Sequence, residues 1–287
     1  MKIAPYLAAV IVAALVFAGW SVDKPAVTSA PVVKETRLDQ IKRTGVLRCG
    51  YQTWPPFLTK DPNTGAIGGI SHDLMEEAGR QLGFRIEWSG EVATGQMLAD
   101  LSMNRYDMIC TLFVKTPSRM REGDFTYPFV YLPLYLYVRA DDKRFDQDFA
   151  AANKPEIKLA ALDGEFSAIG AAENFPQAAR FSVPQLSTSA DLFMAVTSKK
   201  ADAVLQDPET FNGFAKNNPG QLKPAGNKPL RMLPCGFPMP LNEPAFKNAM
   251  DATLAYLQDS GFIDATLKKY EGEVRYTRPA SGFAEVK

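Results

Sequence analysis

Histidine occurs once in these 287 residues, as His72, and cysteine three times, as Cys49, Cys110 and Cys235. There is no C-x-x-C and no H-x-x-H spacing, so side-chain sites for zinc, iron–sulfur clusters or haem find no support. Neither a metal nor a cofactor is expected. Excess charge is missing too. Thirty-two Lys and Arg balance 32 Asp and Glu, so overall electrostatics points to neither nucleic acid nor an anionic membrane surface as a partner. A charged ligand would have to be read by local groups.

What is present is core material. Hydrophobic residues make up 46% of the chain and charged residues 22%, a globular balance, and the length allows more than one domain. Cys49 and Cys110 fall in expected buried strands, where cysteine behaves as a small hydrophobe. The odd count leaves at least one free thiol. After Lys2 an uncharged run from Ile3 to Val22 reads as an export signal or an N-terminal anchor, with Val16-Phe17-Ala18 favouring cleavage. Residues 1–22 are therefore assigned to that segment and 23–37, rich in Pro, Ser, Thr and Val, to a disordered linker.

The body is organised around Asp107 to Phe129. Met108 to Phe113 reads as a buried strand, Thr116-Pro117 stops it, and Arg119 and Arg121 follow. In open α/β sheets ligands collect beyond the carboxyl ends of strands, where a guanidinium can hold a carboxylate with two parallel hydrogen bonds. Before this stretch come a strand from Val46, an aromatic loop Trp54-Pro55-Pro56-Phe57, a helix Ser71 to Gly83, a strand Arg85 to Trp88 and a helix Gly95 to Met103. The two prolines lower the entropy lost in fixing Trp54, which makes a preformed ligand wall plausible. His72, at a helix start, reads as a surface or capping residue.

After an apolar crossing segment, Tyr131 to Arg139, the pattern restarts. It gives strand Ile157 to Leu162, loop Asp163 to Ser167, helix Ala168 to Glu173, strand Ala179 to Val183, helix Ser189 to Ser198 and strand Ala203 to Leu205. Ser102-Met-Asn-Arg-Tyr-Asp107-Met-Ile-Cys110 aligns with Thr197-Ser-Lys-Lys-Ala-Asp202-Ala-Val-Leu205, and each strand then exposes a charge, Arg119 in the first unit and Asp207 in the second. A cation and an anion facing across a cleft would receive a zwitterion. Met232 to Pro240 returns the chain, and a helix from Glu243 to Ser260 and another from Ile263 to Tyr270 complete it. The alternation predicts an α/β protein of two lobes, each a mainly parallel sheet flanked by helices, joined by two crossing strands. Residues 38–131 and 236–275 are expected in lobe 1, 132–235 in lobe 2, and 276–287 in a loose tail.

With these residues in order, the chain resembles the family 3 extracellular solute-binding proteins, the polar amino-acid receptors of bacterial ABC importers. Gly45-Val-Leu-Arg-Cys-Gly50, Trp54-Pro-Pro-Phe57, Gly69-Ile-Ser-His-Asp-Leu74, Tyr106-Asp-Met-Ile109, Thr116-Pro-Ser-Arg119, Asp124-Phe-Thr-Tyr-Pro-Phe129 and Asp202-Ala-Val-Leu-Gln-Asp207 carry the likeness. It implies a type II periplasmic-binding-protein fold and places the ligand carboxylate on Arg119, its ammonium on Asp207 and its side chain under Trp54. Thr111, Val114, Glu165, Phe166 and Ser167 complete the expected binding set, with no catalytic residue. Val114 stands where the family usually has Ser or Thr, Thr94 where a second aromatic is common, and Gly164-Glu165-Phe166-Ser167 where the second lobe usually opens G-T or G-S-T. The implied partners are an amino-acid-like small molecule and an inner-membrane ABC permease, and the implied state is a periplasmic monomer. Two alternatives share the scaffold. One resembles periplasmic cyclohexadienyl dehydratases, with Glu165 as a raised-pKa general acid; the other is a membrane-tethered sensory module.

Overall fold

The computed structural model describes residues 35–271 except 147, 164, 185 and 186. The expected export segment and the C-terminal tail lie outside the described residues, as does all of the expected linker but its last three. The first helix, Arg37–Thr44, begins inside that expected linker. Thr36 caps it by accepting from the Asp39 amide, and Gly45, at φ 68°, closes it in the left-handed conformation that glycine adopts at least cost.

A three-stranded parallel sheet follows, with Val46–Tyr51 in the centre, Arg85–Glu91 on one side and Met108–Ile109 on the other. The helix Ile70–Leu82 covers it, burying Ile70, Leu74, Met75 and Ala78 while its charged face stays outside. A second sheet has seven strands. Its parallel part is Ala179–Val183, Lys158–Leu162 and Ala203–Gln206. It continues antiparallel into Val130–Arg139, Arg231–Gly236 and Phe113–Val114, with Leu222–Pro224 also pairing to Val130–Arg139. The two connecting segments therefore pair with each other, Met232 opposite Pro133 and Leu233 opposite Leu132. The chain returns through the helices Pro244–Asp259 and Phe262–Tyr270, which pack on Ile70–Leu82.

Two strand expectations need correction. The apolar run Met108 to Phe113 is not one strand but two short ones in different sheets, Met108–Ile109 and Phe113–Val114. The cause is local: Thr111 Oγ1 donates to Gln52 O and accepts from Gln52 N, both at 3.0 Å, so a side chain takes the backbone groups that a longer ladder would need. The returning segment is also divided, into Arg231–Gly236 and Pro238–Met239; the latter pairs with Asp124–Phe125.

The cysteines are corrected as well. Cys49, in the central strand, and Cys110, just past the neighbouring strand Met108–Ile109, are joined to each other, with Cα atoms 5.4 Å apart and a separation of 61 positions in sequence. Closing a loop of that length in the unfolded chain stabilises the fold by about 4 kcal/mol in the chain-entropy account. Cys235 remains a free, buried thiol.

The internal repeat takes a shared physical form. Asp107 N donates to Arg48 O at 2.8 Å while Asp107 Oδ2 accepts from Arg48 N at 2.8 Å. In the second unit Asp202 N donates to Lys158 O at 2.7 Å while Asp202 Oδ2 accepts from Lys158 N at 2.9 Å. Each aspartate thus starts its strand by clasping the backbone of the neighbouring parallel strand, and each is then neutralised by arginines: Arg37 and Arg48 on Asp107, Arg139 and Arg144 on Asp202.

Candidate functional site

A cavity of about 140 Å³ opens where the strands of both sheets end. Gln52 and Trp54 follow the strand Val46–Tyr51, and Thr94 follows Arg85–Glu91. Glu165 follows Lys158–Leu162, and Asp207 follows Ala203–Gln206. Leu132 and Leu233, from the paired connecting strands, supply apolar lining. Carboxyl ends of parallel strands are where such sheets leave room for a ligand, and here two sheets contribute to one opening.

The aromatic loop is held by the helix behind it. Ile70 N and Ser71 N donate to Pro56 O and Phe57 O, at 3.1 and 2.7 Å. Gly69, at φ 103°, permits that approach, since a Cβ there would stand 2.7 Å from Pro56 O. Trp54 and Leu58 exchange backbone hydrogen bonds, which closes the loop tightly. Trp54 is half-buried, lines the cavity and also packs on the core. Its Nε1 donates to Thr210 Oγ1 at 3.3 Å, on the helix that follows Asp207.

Arg119 lies in a short 3-10 turn, Arg119–Arg121, which Thr116 starts by accepting from the Arg119 amide at 3.3 Å. The residue is 7% exposed. Nη1 donates to Val114 O at 2.9 Å, and the guanidinium carbon stands 5.4 Å from the Phe113 ring centroid. Val114 thus serves through its carbonyl as well as its side chain. Burial lowers the pKa of Arg119 and the negative charge of Glu165 opposes that shift. Arg121 is exposed and does not line the cavity.

Asp207 caps the helix Pro208–Asn217, with proline at its first position. Its Oδ1 accepts from Thr210 N at 3.0 Å and its Oδ2 from Thr210 Oγ1 at 2.7 Å. Burial pushes its pKa up; the Thr210 bonds pull the other way and the charge of Glu165 adds to the rise. Glu165 accepts from Ser167 Oγ, from Gln206 Nε2 at 2.9 Å and from Ser189 Oγ at 3.4 Å.

Of the expected residues, Arg119, Asp207, Trp54, Val114, Glu165 and Phe166 line the cavity. Thr111 and Ser167 do not: both are fully buried, Thr111 occupied with the Gln52 backbone and Ser167 holding Glu165 while accepting from Leu162 N at 3.1 Å. Phe166 and Ser167, expected in a loop, begin the helix Phe166–Asn174. Sequence reasoning missed Gln206 and Thr210, and the helix that carries Thr210. Asp207-Pro208, a capping residue followed by proline, was the available signal. Among the described residues no group of three or more His, Cys, Asp or Glu could hold a metal ion.

A family model described as "Bacterial extracellular solute-binding proteins, family 3" matches residues 47–273. A probable histidine-binding protein of Campylobacter jejuni is 26% identical over 231 residues, 77% of this chain and 82% of that one. A probable amino-acid ABC transporter-binding protein of Haemophilus influenzae is 23% identical over 78% of this chain and 84% of its own length. Among solved structures, an ancestral amino acid-binding protein described as a precursor of cyclohexadienyl dehydratase superposes with TM-score 0.68 at 25% identity, over 82% of this chain and 99% of that one.

Proposed function

The chain belongs to family 3 of the bacterial extracellular solute-binding proteins, and from that premise we propose that it is the substrate-binding component of an ABC-type importer, taking up an amino acid between two lobes. The observation that carries the reading is the meeting, in one cavity, of a buried guanidinium, Arg119, and a buried carboxylate, Asp207, beside the indole of Trp54, which follows the central strand of the three-stranded sheet. Arg119 would hold the ligand α-carboxylate and Asp207 its α-ammonium. Because one anchor comes from each half, ligand contacts made with both favour the closed arrangement by their differential binding energy. In this reading residues 38–131 and 236–275 move against 132–235 about the paired connecting strands, and the closed form docks on an inner-membrane permease as a monomer.

The Cys49–Cys110 disulfide supports an exported, periplasmic protein, since such bonds persist in oxidising compartments. The site is read as binding without catalysis. Glu165, the residue a dehydratase reading would make a general acid, accepts from Ser167, Ser189 and Gln206, which favours a fixed acceptor over a proton donor. A thermal-shift screen of amino acids, small dicarboxylates and polyamines tests the proposal. A ligand at one hundred times its Kd stabilises the protein by about 2.7 kcal/mol. The reading fails if no amino acid shifts the melting temperature, and the binding-only part fails if prephenate or arogenate is converted to an aromatic product.

A further inference from the structure

We propose that the amino acid taken by this site carries a cationic side chain, with Glu165 as the residue that reads it. The inference rests on the amino-acid reading above and goes beyond it through a count of charges. Among the described residues lining the cavity, three are charged: Arg119, Glu165 and Asp207. One positive and two negative groups leave the site one charge short of neutrality. An α-carboxylate on Arg119 and an α-ammonium on Asp207 add nothing to that balance, because they cancel each other. A neutral amino acid would therefore close the cleft over an uncompensated carboxylate, and an acidic one over a larger deficit. Burying an unpaired charge is among the costliest things a closed site can do. A side-chain ammonium or guanidinium restores the balance.

Glu165 is the anion left for that role. Its own partners in the protein, Ser167, Ser189 and Gln206, are all neutral donors. They fix the carboxylate in place and leave its charge. It stands at the end of the strand Lys158–Leu162, close enough to Arg119 and Asp207 for its charge to act on both. Trp54, Phe113 and Phe166 line the same space. They offer aromatic surface to an aliphatic stem and its terminal cation.

The test compares ligands of one shape and different charge on the full-length protein: L-lysine with L-norleucine, and L-arginine with L-citrulline, by isothermal titration. The charged member of each pair should bind at least tenfold tighter. In Glu165→Gln that ratio should fall to within about threefold of one. Norleucine or citrulline binding as tightly as its charged counterpart overturns the inference, and so does a ratio that survives Glu165→Gln. The ligand pairs need no variant, so a misfolded Glu165→Gln leaves the inference open to refutation. Arg119→Ala separates the two levels. If neutral amino acids bind best and depend on Arg119, only the side-chain inference fails. If no amino acid binds, or binding ignores Arg119, the amino-acid reading fails and takes this inference with it.

Discussion

Trp54 Nε1 lies 3.3 Å from Thr210 Oγ1, and the same hydroxyl donates to Asp207 Oδ2 at 2.7 Å. An indole from the first half of the chain is thereby connected to the buried carboxylate of the second through one side chain. Thr210→Val keeps the shape and removes both bonds, while the Thr210 amide still caps through Asp207 Oδ1. A net hydrogen bond contributes about 0.5–1.5 kcal/mol, so ligand affinity should fall roughly threefold to tenfold. Titration reads the affinity, and tryptophan emission reads the changed surroundings of Trp54. Unchanged affinity and emission would make the contact incidental.

Arg119 and Asp207 should respond differently to substitution. Charge-assisted hydrogen bonds contribute about 1.5–3 kcal/mol each, so Arg119→Ala should weaken amino-acid binding by roughly a hundredfold or more. Arg119→Lys should fail substantially as well, because a point charge cannot reproduce the two-pronged guanidinium. Asp207→Asn should weaken amino acids and spare analogues without the α-ammonium. Binding of Arg119→Ala within about threefold of the parent would remove the guanidinium from the site.

Asp207 also gives a pH dependence whose sign is fixed. Burial raises its folded-state pKa above that of the unfolded chain, so the folded protein binds this proton more strongly and the group's contribution to stability is lost as pH rises through the folded pKa. Glu165 adds to the rise, and Tyr137 and Cys235 both feel the negative charge of Asp207. A bound ammonium reverses this cost by stabilising the ionised form. The ligand-induced rise in melting temperature should therefore shrink as pH falls through the carboxyl's ligand-free pKa. Asp207→Asn should flatten that dependence relative to the parent; equal slopes in the two proteins would sink the assignment.

How much of this was legible in the sequence depends on whether the signal was local. The repeat was legible because Asp107 and Asp202 precede equivalent strands, and the clasp each makes is a short-range backbone contact. Arg119 and Asp207 were legible because each stands just past a strand end. Thr111 was misplaced because its hydroxyl satisfies a backbone 59 residues away, which no pattern along the chain reveals. The same limit hid the Cys49–Cys110 bond: both cysteines sit in apolar runs, and pairing depends on which strands become neighbours. Thr210 was missed because the stretch after Asp207 carries few apolar residues at regular spacing, and the helix there buries only Phe214. Gln206 was missed because it ends the strand Ala203–Gln206 and its side chain reaches Glu165, 41 positions earlier in the chain.

Joining Cys49 to Cys110 should be visible both as mass and as stability. Intact-mass measurement without reductant should show two hydrogens fewer than the free-thiol chain, and a thiol reagent should find Cys235 alone, after unfolding, because it is buried. Replacing both Cys49 and Cys110 by Ser should cost about 2–4 kcal/mol in chemical denaturation. Three reactive thiols in the unreduced, unfolded protein would contradict the pairing.

The two clasping aspartates should not be equally costly to lose, although the backbone bonds they make are nearly the same. Asp107 and Arg37 have side chains only 3% and 6% exposed, so Asp107→Ala strands a guanidinium away from water as well as releasing the Arg48 backbone. Breaking a buried pair in this way costs about 3–5 kcal/mol. Asp202 is 20% exposed, and its shortest ion-pair partner, Arg144, is 47% exposed; Arg144 can turn to solvent and keeps its contact with Asp142. The main loss in Asp202→Ala is the hydrogen bond to the Lys158 amide, with smaller losses at the ion pairs, a total of about 1–2 kcal/mol. Urea denaturation of the two variants measures the difference directly. Equal losses would mean that the backbone clasp, and not burial of Arg37, sets the stability of the repeat, and Arg37→Met in the Asp107→Ala background would then recover nothing.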